Sequence, residues 1–305
     1  MIQFSVIIPN LNTPVVDCTV EALENQTLDR GFYNVVVVGM DKFGLIQESD
    51  LVYFDRSERP LNPAEARNRG AAQTESEIIV FTDADCIPEP DWLSVLAERF
   101  ADPTINVIGG GVRFDKRNYW TLADNVTMFY NYLTSLPPGK RALLPSLNLA
   151  IRRHIFDEIG GFDERYPRAA GEDSDFCIRL QKNGHKLFFE PLAGVFHAPP
   201  RNRLGDLIRH SFKQGQYSTK LDPRYAAQSG LPRWLRHPIS LTLFSPILAA
   251  GAFFKVFRNR NILRLYWYTA PVIYISKLAW CVGAANTQTA KLGELNESIK
   301  IKIKQ

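Results

Sequence analysis

Glu77-Ile78-Ile79-Val80-Phe81-Thr82-Asp83-Ala84-Asp85-Cys86-Ile87-Pro88 is the stretch on which the reading of this chain turns. Ile78 to Phe81 is a short apolar run of the kind that forms a buried strand. Asp83 and Asp85 follow it at once, and Pro88 and Pro90 stop any continuation. In an open α/β sheet, ligands bind beyond the carboxyl ends of the strands. Two carboxylates there pack poorly but suit a hard cation such as Mg²⁺ or Mn²⁺, which in turn holds phosphate oxygens. The plainer reading is a turn that uses Asp for its local hydrogen bonds. A lone D-x-D leaves both open.

Working outward, strand-like and helix-like stretches alternate. Phe4 to Pro9 reads as a first strand and Asn10 to Pro14 as its turn. Val15 to Asn25 reads as a helix, with Thr13 as cap and Pro14 at the first helical position. Tyr33 to Gly39 and Leu51 to Asp55 are further strands, and Asn62 to Gly70 is a capped helix. After the Asp83 strand come a helix over Pro90 to Phe100 and a strand over Asn106 to Phe114. This alternation predicts an α/β fold with a mostly parallel sheet flanked by helices.

The middle of the chain is less regular. Tyr119 to Leu136 reads as helical, Pro137 to Arg141 as a mobile loop, and Leu143 to Ile151 as a strand. A short helix over Ile155 to Ile159 ends at Gly160-Gly161. Gly171-Glu172-Asp173-Ser174-Asp175 opens another helix, and its acids suit the helix dipole. Three carboxylates in four residues exceed what capping needs, and a general base would sit well there. Lys186 to Glu190 and Gly194 to His197 read as two short strands. His197 alone is an ordinary packed histidine; beside two aspartates it is a reasonable metal ligand.

Composition narrows the classes. The 305 residues carry a net charge of +4, too small to imply nucleic acid, and four scattered cysteines without C-x-x-C fit a reducing compartment. The chain enters its first strand without a basic segment and apolar run, so no secretory signal is expected.

Several pieces, in this order, resemble the family 2 glycosyltransferases of GT-A, Rossmann-like fold: SVIIPNLN, ARNRG, FTDADCIPEPDWL, NLAIRRHIFDEIGGFDE, GEDSDFCIRLQKNG and VFHAP, spanning residues 4 to 200. The resemblance implies a metal-dependent, inverting transfer from a nucleotide-sugar, a UDP-sugar above all, to a hydroxyl of a glycan or lipid-linked acceptor in cell-envelope or exopolysaccharide synthesis. It implies that Asp83 and Asp85 meet the metal and the donor, and that His197 completes a Mg²⁺ or Mn²⁺ site. Asp173 looks like the general base, and Glu172 would orient it or the acceptor. Pro9, Asn10 and Asn12 match the nucleotide-contacting turn, and Arg67 matches the arginine of the helix under the nucleotide. The family usually has D-G-S after the second strand; here Gly39-Met40-Asp41-Lys42 stands instead, with Asp41 a shifted base reader. The Q-x-x-R-W of processive members is replaced by His210 to Tyr217, which implies single additions. A sugar nucleotidyltransferase would show a Gly-rich loop after the first strand, where this chain has NLNTP. An inactive relative that binds glycans or partners would not need Asp83, Asp85, Asp173 and His197 together.

These readings assign residues 1–220 to a catalytic domain, with halves at about 1–115 and 116–220, and residues 221–305 to an apolar helical region. Leu204 to Thr219 reads as a basic amphipathic helix. Pro238 to Phe257 and Leu265 to Ala285 approach the ~20 residues that cross a bilayer, but prolines and Lys277 interrupt them. Three outcomes stand: helices lying on the cytoplasmic face of the cell membrane through residues 238–285, a spanning hairpin, or a helical subdomain or dimer interface. The basic linker Lys255 to Arg264 argues against the hairpin. The polar end, Asn286 to Gln305, is expected as a loosely held tail.

Overall fold

The computed structural model describes residues 3–225 and 230–304, with side chains of the last helix described to residue 287. Its contacts divide the chain into two units: residues 1–115 with 131–199, and residues 116–130 with 200–305. The second unit thus begins at Pro200 and takes in 116–130, where the sequence reading set its boundary after 220.

The first unit is built on a nine-stranded sheet. Along the chain its elements are β1 (Phe4–Leu11), α1 (Val16–Glu24), β2 (Tyr33–Met40), β3 (Val52–Arg56), α2 (Pro63–Ala72), β4 (Ile78–Thr82), β5 (Cys86–Pro88), α3 (Trp92–Phe100) and β6 (Val107–Phe114). The second unit interrupts here with α4 (Tyr119–Phe129). Then follow β7 (Gly139–Lys140), β8 (Asn148–Arg152), α5 (Arg153–Ile159), α6 (Glu172–Lys182) and β9 (Leu187–His197). The sheet order is β3-β2-β1-β4-β8-β6-β9-β5, with β7 on β9. The parallel character expected from the alternation holds for β3-β2-β1-β4. Beyond β4 the sheet is mixed: β8 runs antiparallel to β4 and β6, β9 is parallel to β6, and β5 and β7 are antiparallel to β9. Central strands buried on both faces need continuous apolar runs, and Val6 to Ile8, Val35 to Val38 and Ile78 to Phe81 are buried throughout.

Four local expectations change. Helix α1 starts at Val16 and has no side-chain cap. The reason lies in the preceding turn: Asn12 adopts a left-handed φ of 56°, and Asn10 Oδ1 takes the Thr13 N–H at 3.1 Å. The loop expected at Pro137 to Arg141 contains β7, paired to β9. The strand expected from Leu143 begins only at Asn148. The two short strands expected before His197 are one, β9, whose register against β6 shifts between Gly110 and Gly111. Pro191, in the gap between the two expected strands, sits in that irregularity, where a strand tolerates it.

The second unit contains α4, α7 (Leu204–Gln216), α8 (Pro238–Leu243), α9 (Ser245–Phe257), α10 (Arg260–Tyr266) and α11 (Ala270–Lys304). Helices α7 and α11 cross at two glycines. A Cβ on Gly215 would lie 2.0 Å from the Trp280 carbonyl oxygen, and one on Gly283 would lie 2.0 Å from that of Phe212. Only hydrogen side chains let the backbones meet this closely. Among the described residues no helix is long and apolar enough to cross a membrane, as each arm of the expected spanning hairpin would have to be. Pro246 accounts for part of this, because it stands at the start of α9 and divides it from α8. The polar tail expected after Asn286 continues α11 as helix to Lys304.

Candidate active site

The site lies in the sheet unit and gathers at the carboxyl end of β4. Phe81, two residues before Asp83, packs edge-on against Phe162 at 5.2 Å and against Phe156 at 5.6 Å. Phe162 stacks on Phe176 of α6 at 4.5 Å. This aromatic cluster ties the strand that ends in Asp83 to the helix that begins with Glu172 and Asp173. Packed rings hold such a spacing more rigidly than a loop does.

Arg67 joins the same two elements by charge. It rises from α2, which Asn62 caps by accepting from the Glu65 N–H at 2.9 Å. The small residues Ala64, Ala66, Gly70 and Ala71 bury the rest of that helix. The Arg67 side chain is 2% exposed. Its Nη2 donates to Asp83 Oδ1 at 2.7 Å and its Nη1 to Glu172 Oε1 at 3.1 Å, and its charge sits 5.5 Å from the centre of the Phe162 ring. Its Nε and the Glu172 Oε2 are buried without a partner. A buried cation between two carboxylates satisfies much of the desolvation that each would otherwise suffer. Arg67 is therefore a buried bridge, and its charge is engaged by the protein's own acids.

The acids at the start of α6 divide their tasks. Gly171 precedes the helix at a φ of 93°, and no side chain caps it. Burial raises the Glu172 carboxyl from its ordinary 4.5 to about 7; the Asp173 charge pushes the same way, and Arg67 opposes both. Burial also raises Asp173, with Arg67 and the Ser174 hydrogen bonds pulling it down and the Asp83 charge pushing it up. Asp173 Oδ1 accepts from the Ser174 N–H at 2.7 Å. Asp175 is fully buried and binds Arg179 one turn on, at 2.8 Å. A carboxylate whose proton affinity is raised in a buried setting is suited to general-base work.

Asp85 and His197 form the other half of the site. The antiparallel pairing of β5 with β9 sets Cys86 opposite His197, and the Ala198 N–H donates to the Asp85 carbonyl at 3.2 Å. This register brings His197 Nε2 to 3.7 Å from Asp85 Oδ1. Their donor atoms and the Cys86 Sγ all lie within 4.8 Å of one another. Two ligands of one Mg²⁺ or Mn²⁺ stand about 3–4 Å apart, and an oxygen with an imidazole nitrogen suits such an ion. Burial and the charges of Asp85 and Asp83 hold the Cys86 thiol pKa well above its ordinary value, and a hard cation prefers the oxygen and nitrogen donors to sulfur. Asp83 is turned to Arg67, with its side chain 32% exposed.

At the ends of β1 and β2 the residues assigned to the nucleotide turn bind one another. Asn10 Nδ2 donates to the Met40 carbonyl at 2.9 Å, and Asn12 Oδ1 accepts from the Lys42 N–H at 2.8 Å. Pro9 pairs with Val38 and is half-buried. Gly39, near the end of β2, has a φ of 132°, and a Cβ there would lie 2.0 Å from the Asn10 carbonyl oxygen. No side chain could stand at this position without moving β1. Asp41 is spent on its own loop, accepting from the Phe43 and Ile46 N–H groups at 3.2 and 2.8 Å.

Two residues escaped the sequence reading. Cys86 belongs to the metal-capable cluster, and the β5–β9 register that puts it there has no mark in a single sequence. Asn148 is a buried polar hub: it accepts from Trp92 Nε1 at 2.9 Å and donates to the carbonyls of Gly111 at 3.0 Å and Ala193 at 2.8 Å. A polar residue opening the apolar run Leu149 to Ile151 was the available sign.

Comparison with known proteins agrees with this geometry. The profile of the family described as glycosyl transferase family 2 matches residues 5–160. The chain is 31% identical over 183 residues to the pre-mycofactocin glycosyltransferase of Mycobacterium tuberculosis, covering 58% of this chain but only 36% of that protein's length. It is 26% identical to the glycosyltransferase AglE of Haloferax volcanii, over 70% of this chain and 71% of the relative. Among solved structures, the mannosyltransferase PcManGT of Pyrobaculum calidifontis, in complex with GDP-Man and Mn²⁺, superposes with a TM-score of 0.63 at 19% identity, covering 94% of this chain and 87% of that one.

Proposed function

From the premise that the chain belongs to glycosyl transferase family 2, and so is a glycosyltransferase, we propose that it moves one sugar, with inversion, from a UDP-sugar to a hydroxyl of a glycan or lipid-linked acceptor. The observation that carries the proposal is the Arg67 bridge: one guanidinium holds Asp83, at the end of the donor strand, and Glu172, at the start of the base helix. The acid that would take a proton is thereby kept at a fixed distance from the acids that would face the donor.

Asp173 accepts the proton of the attacking hydroxyl at its carboxylate. Glu172, drawn to Arg67, orients that helix start and shares charge with Asp173. Arg67 positions both acids. Asp85 Oδ1 and His197 Nε2 are the residues that would hold Mg²⁺ or Mn²⁺, with the exposed part of Asp83 turned to the donor. A divalent cation bound there supplies the positive charge that makes a nucleoside diphosphate a good leaving group. His210 to Tyr217, in place of the processive motif, supports a single addition. On this reading the reaction belongs to cell-envelope or exopolysaccharide synthesis, at the cytoplasmic face of the cell membrane.

The test is Asp173→Asn, assayed with a panel of UDP- and GDP-sugars with and without chelator. The expected outcome is a stable protein that still binds nucleotide in a metal-dependent way and turns over about 10²-fold or more slowly. Near-normal turnover would remove Asp173 as base. Binding restricted to GDP-sugars would correct the donor. Proton NMR showing a retained anomer would exclude direct displacement.

A further inference from the structure

The stretch from Pro223 to Gly293 contains no Asp or Glu and nine Lys and Arg. The remainder of the chain is net acidic, so the overall charge of +4 conceals a strongly basic segment. This segment also carries an unusual share of exposed apolar side chains. In α9, Ile247 is 66% and Phe254 70% exposed. With exposed Gly251 and Arg258 they follow the spacing i, i+4, i+7, i+11, which is one outward stripe of a helix. Ala249 and Val256, also seven residues apart, form the buried stripe of the same helix. Helix α9 is therefore apolar on two sides, one packed and one open. In α8, Leu241 is buried while Ile239 and Leu243, four apart, are 63% and 71% exposed. Trp234, 56% exposed, stands with its ring 5.1 Å from that of Phe244.

We propose that this face of the helical unit docks on an anionic phospholipid surface. Large apolar side chains exposed together need a partner. The charges decide which partner fits. Arg233 adjoins Trp234, and Lys255 and Arg258 adjoin Phe254; all three are exposed and make no ion pair among the described residues. A second copy meeting this face through a two-fold axis would bring the same cations together with no carboxylate of the segment to offset them. Anionic headgroups supply the missing sign, and the acyl boundary beneath them takes up the apolar stripe. Length fixes the pose. The 13 residues of α9 reach only about 20 Å against a hydrocarbon core of about 30 Å. The helix therefore lies in the interface, with Trp234 at headgroup depth, where tryptophan is favoured.

The experiment sediments the full chain with vesicles of phosphatidylcholine, with and without phosphatidylglycerol, at low and high salt. Binding to the anionic vesicles is expected to be about tenfold or more tighter than to neutral ones, and to weaken with salt. Ile247→Ser with Phe254→Ser should weaken binding to anionic vesicles about tenfold or more. Lys255→Glu with Arg258→Glu should abolish the anionic preference. No sedimentation with either vesicle, or binding indifferent to both pairs, overturns the proposal. So does a dimer that the serine pair dissociates, because the face is then a contact between copies. Vesicle binding is read without any sugar transfer, so this result is independent of the catalytic assignment.

Discussion

In the sheet unit the charges of greatest consequence are inside. Arg67 is 2% exposed, and Glu172, its partner, is buried with it. In the helical unit the large apolar groups are outside, with Leu243 71% and Phe254 70% exposed and unpaired cations beside them. Each arrangement runs against the ordinary partition of side chains between core and surface. In the first, the cost of burial is offset by the geometry of three groups that serve a site. In the second, nothing within the described unit covers the exposed groups. A buried pair thus marks where chemistry is held in place, and an open apolar stripe marks where something else must come.

The comparison breaks most readily at Arg67. Arg67→Ala leaves Asp83 and Glu172 facing each other without their cation, and stability should fall by about 3–5 kcal/mol, read from urea unfolding. A loss below about 1 kcal/mol would mean that the acids simply protonate or turn to water, and that the bridge is not structural. A smaller effect follows from Glu172. Its pKa is raised on folding, from 4.5 to about 7, so between these values the folded state holds more proton than the unfolded state. Stability contributed this way is present below pH 4.5 and is lost as pH rises through about 7. The slope has a ceiling of about 1.4 kcal/mol per pH unit for one proton, and it should be absent from Glu172→Gln. An unchanged slope in that variant would assign the proton to Asp173. The smallest effect belongs to the open face. Ile247→Ser with Phe254→Ser should change the stability of the protein in solution by no more than about 0.5 kcal/mol per site. A loss of several kcal/mol would show those side chains to be core.

Much of the site was legible because its residues are chemically conspicuous where they stand. Asp83 and Asp85 follow an apolar strand, and Glu172 and Asp173 crowd a helix start; burial and charge make either pattern hard to explain by packing alone. Their grouping was less legible. In the sequence Arg67 is only the arginine of the helix under the nucleotide, and the approach of α2 to β4 and α6 shows its two carboxylate partners. His197 was a plausible ligand for Asp83 and Asp85 alike; the β5–β9 register sets it beside Asp85 and Cys86 and leaves Asp83 to Arg67. The sequence divides β9 at Pro191 to Ala193, because strand-breaking tendencies are local and the register shift that absorbs them is not.

The chain by itself determined the alternation of strands and helices, the apolar centre of the sheet and the residue types available for catalysis. These depend on periodicity and turn chemistry, which act over a few neighbours. It also determined the acid-free basic segment, since charge is counted along the chain. Only the tertiary structure decided which sheet neighbours run antiparallel, that Gly39 must stand against Asn10, that Gly215 and Gly283 bring two helices into backbone contact, and which stripe of α9 is left open. Those outcomes rest on contacts between residues far apart in sequence, where excluded volume and the pairing of buried charge choose among arrangements that local preference leaves equal.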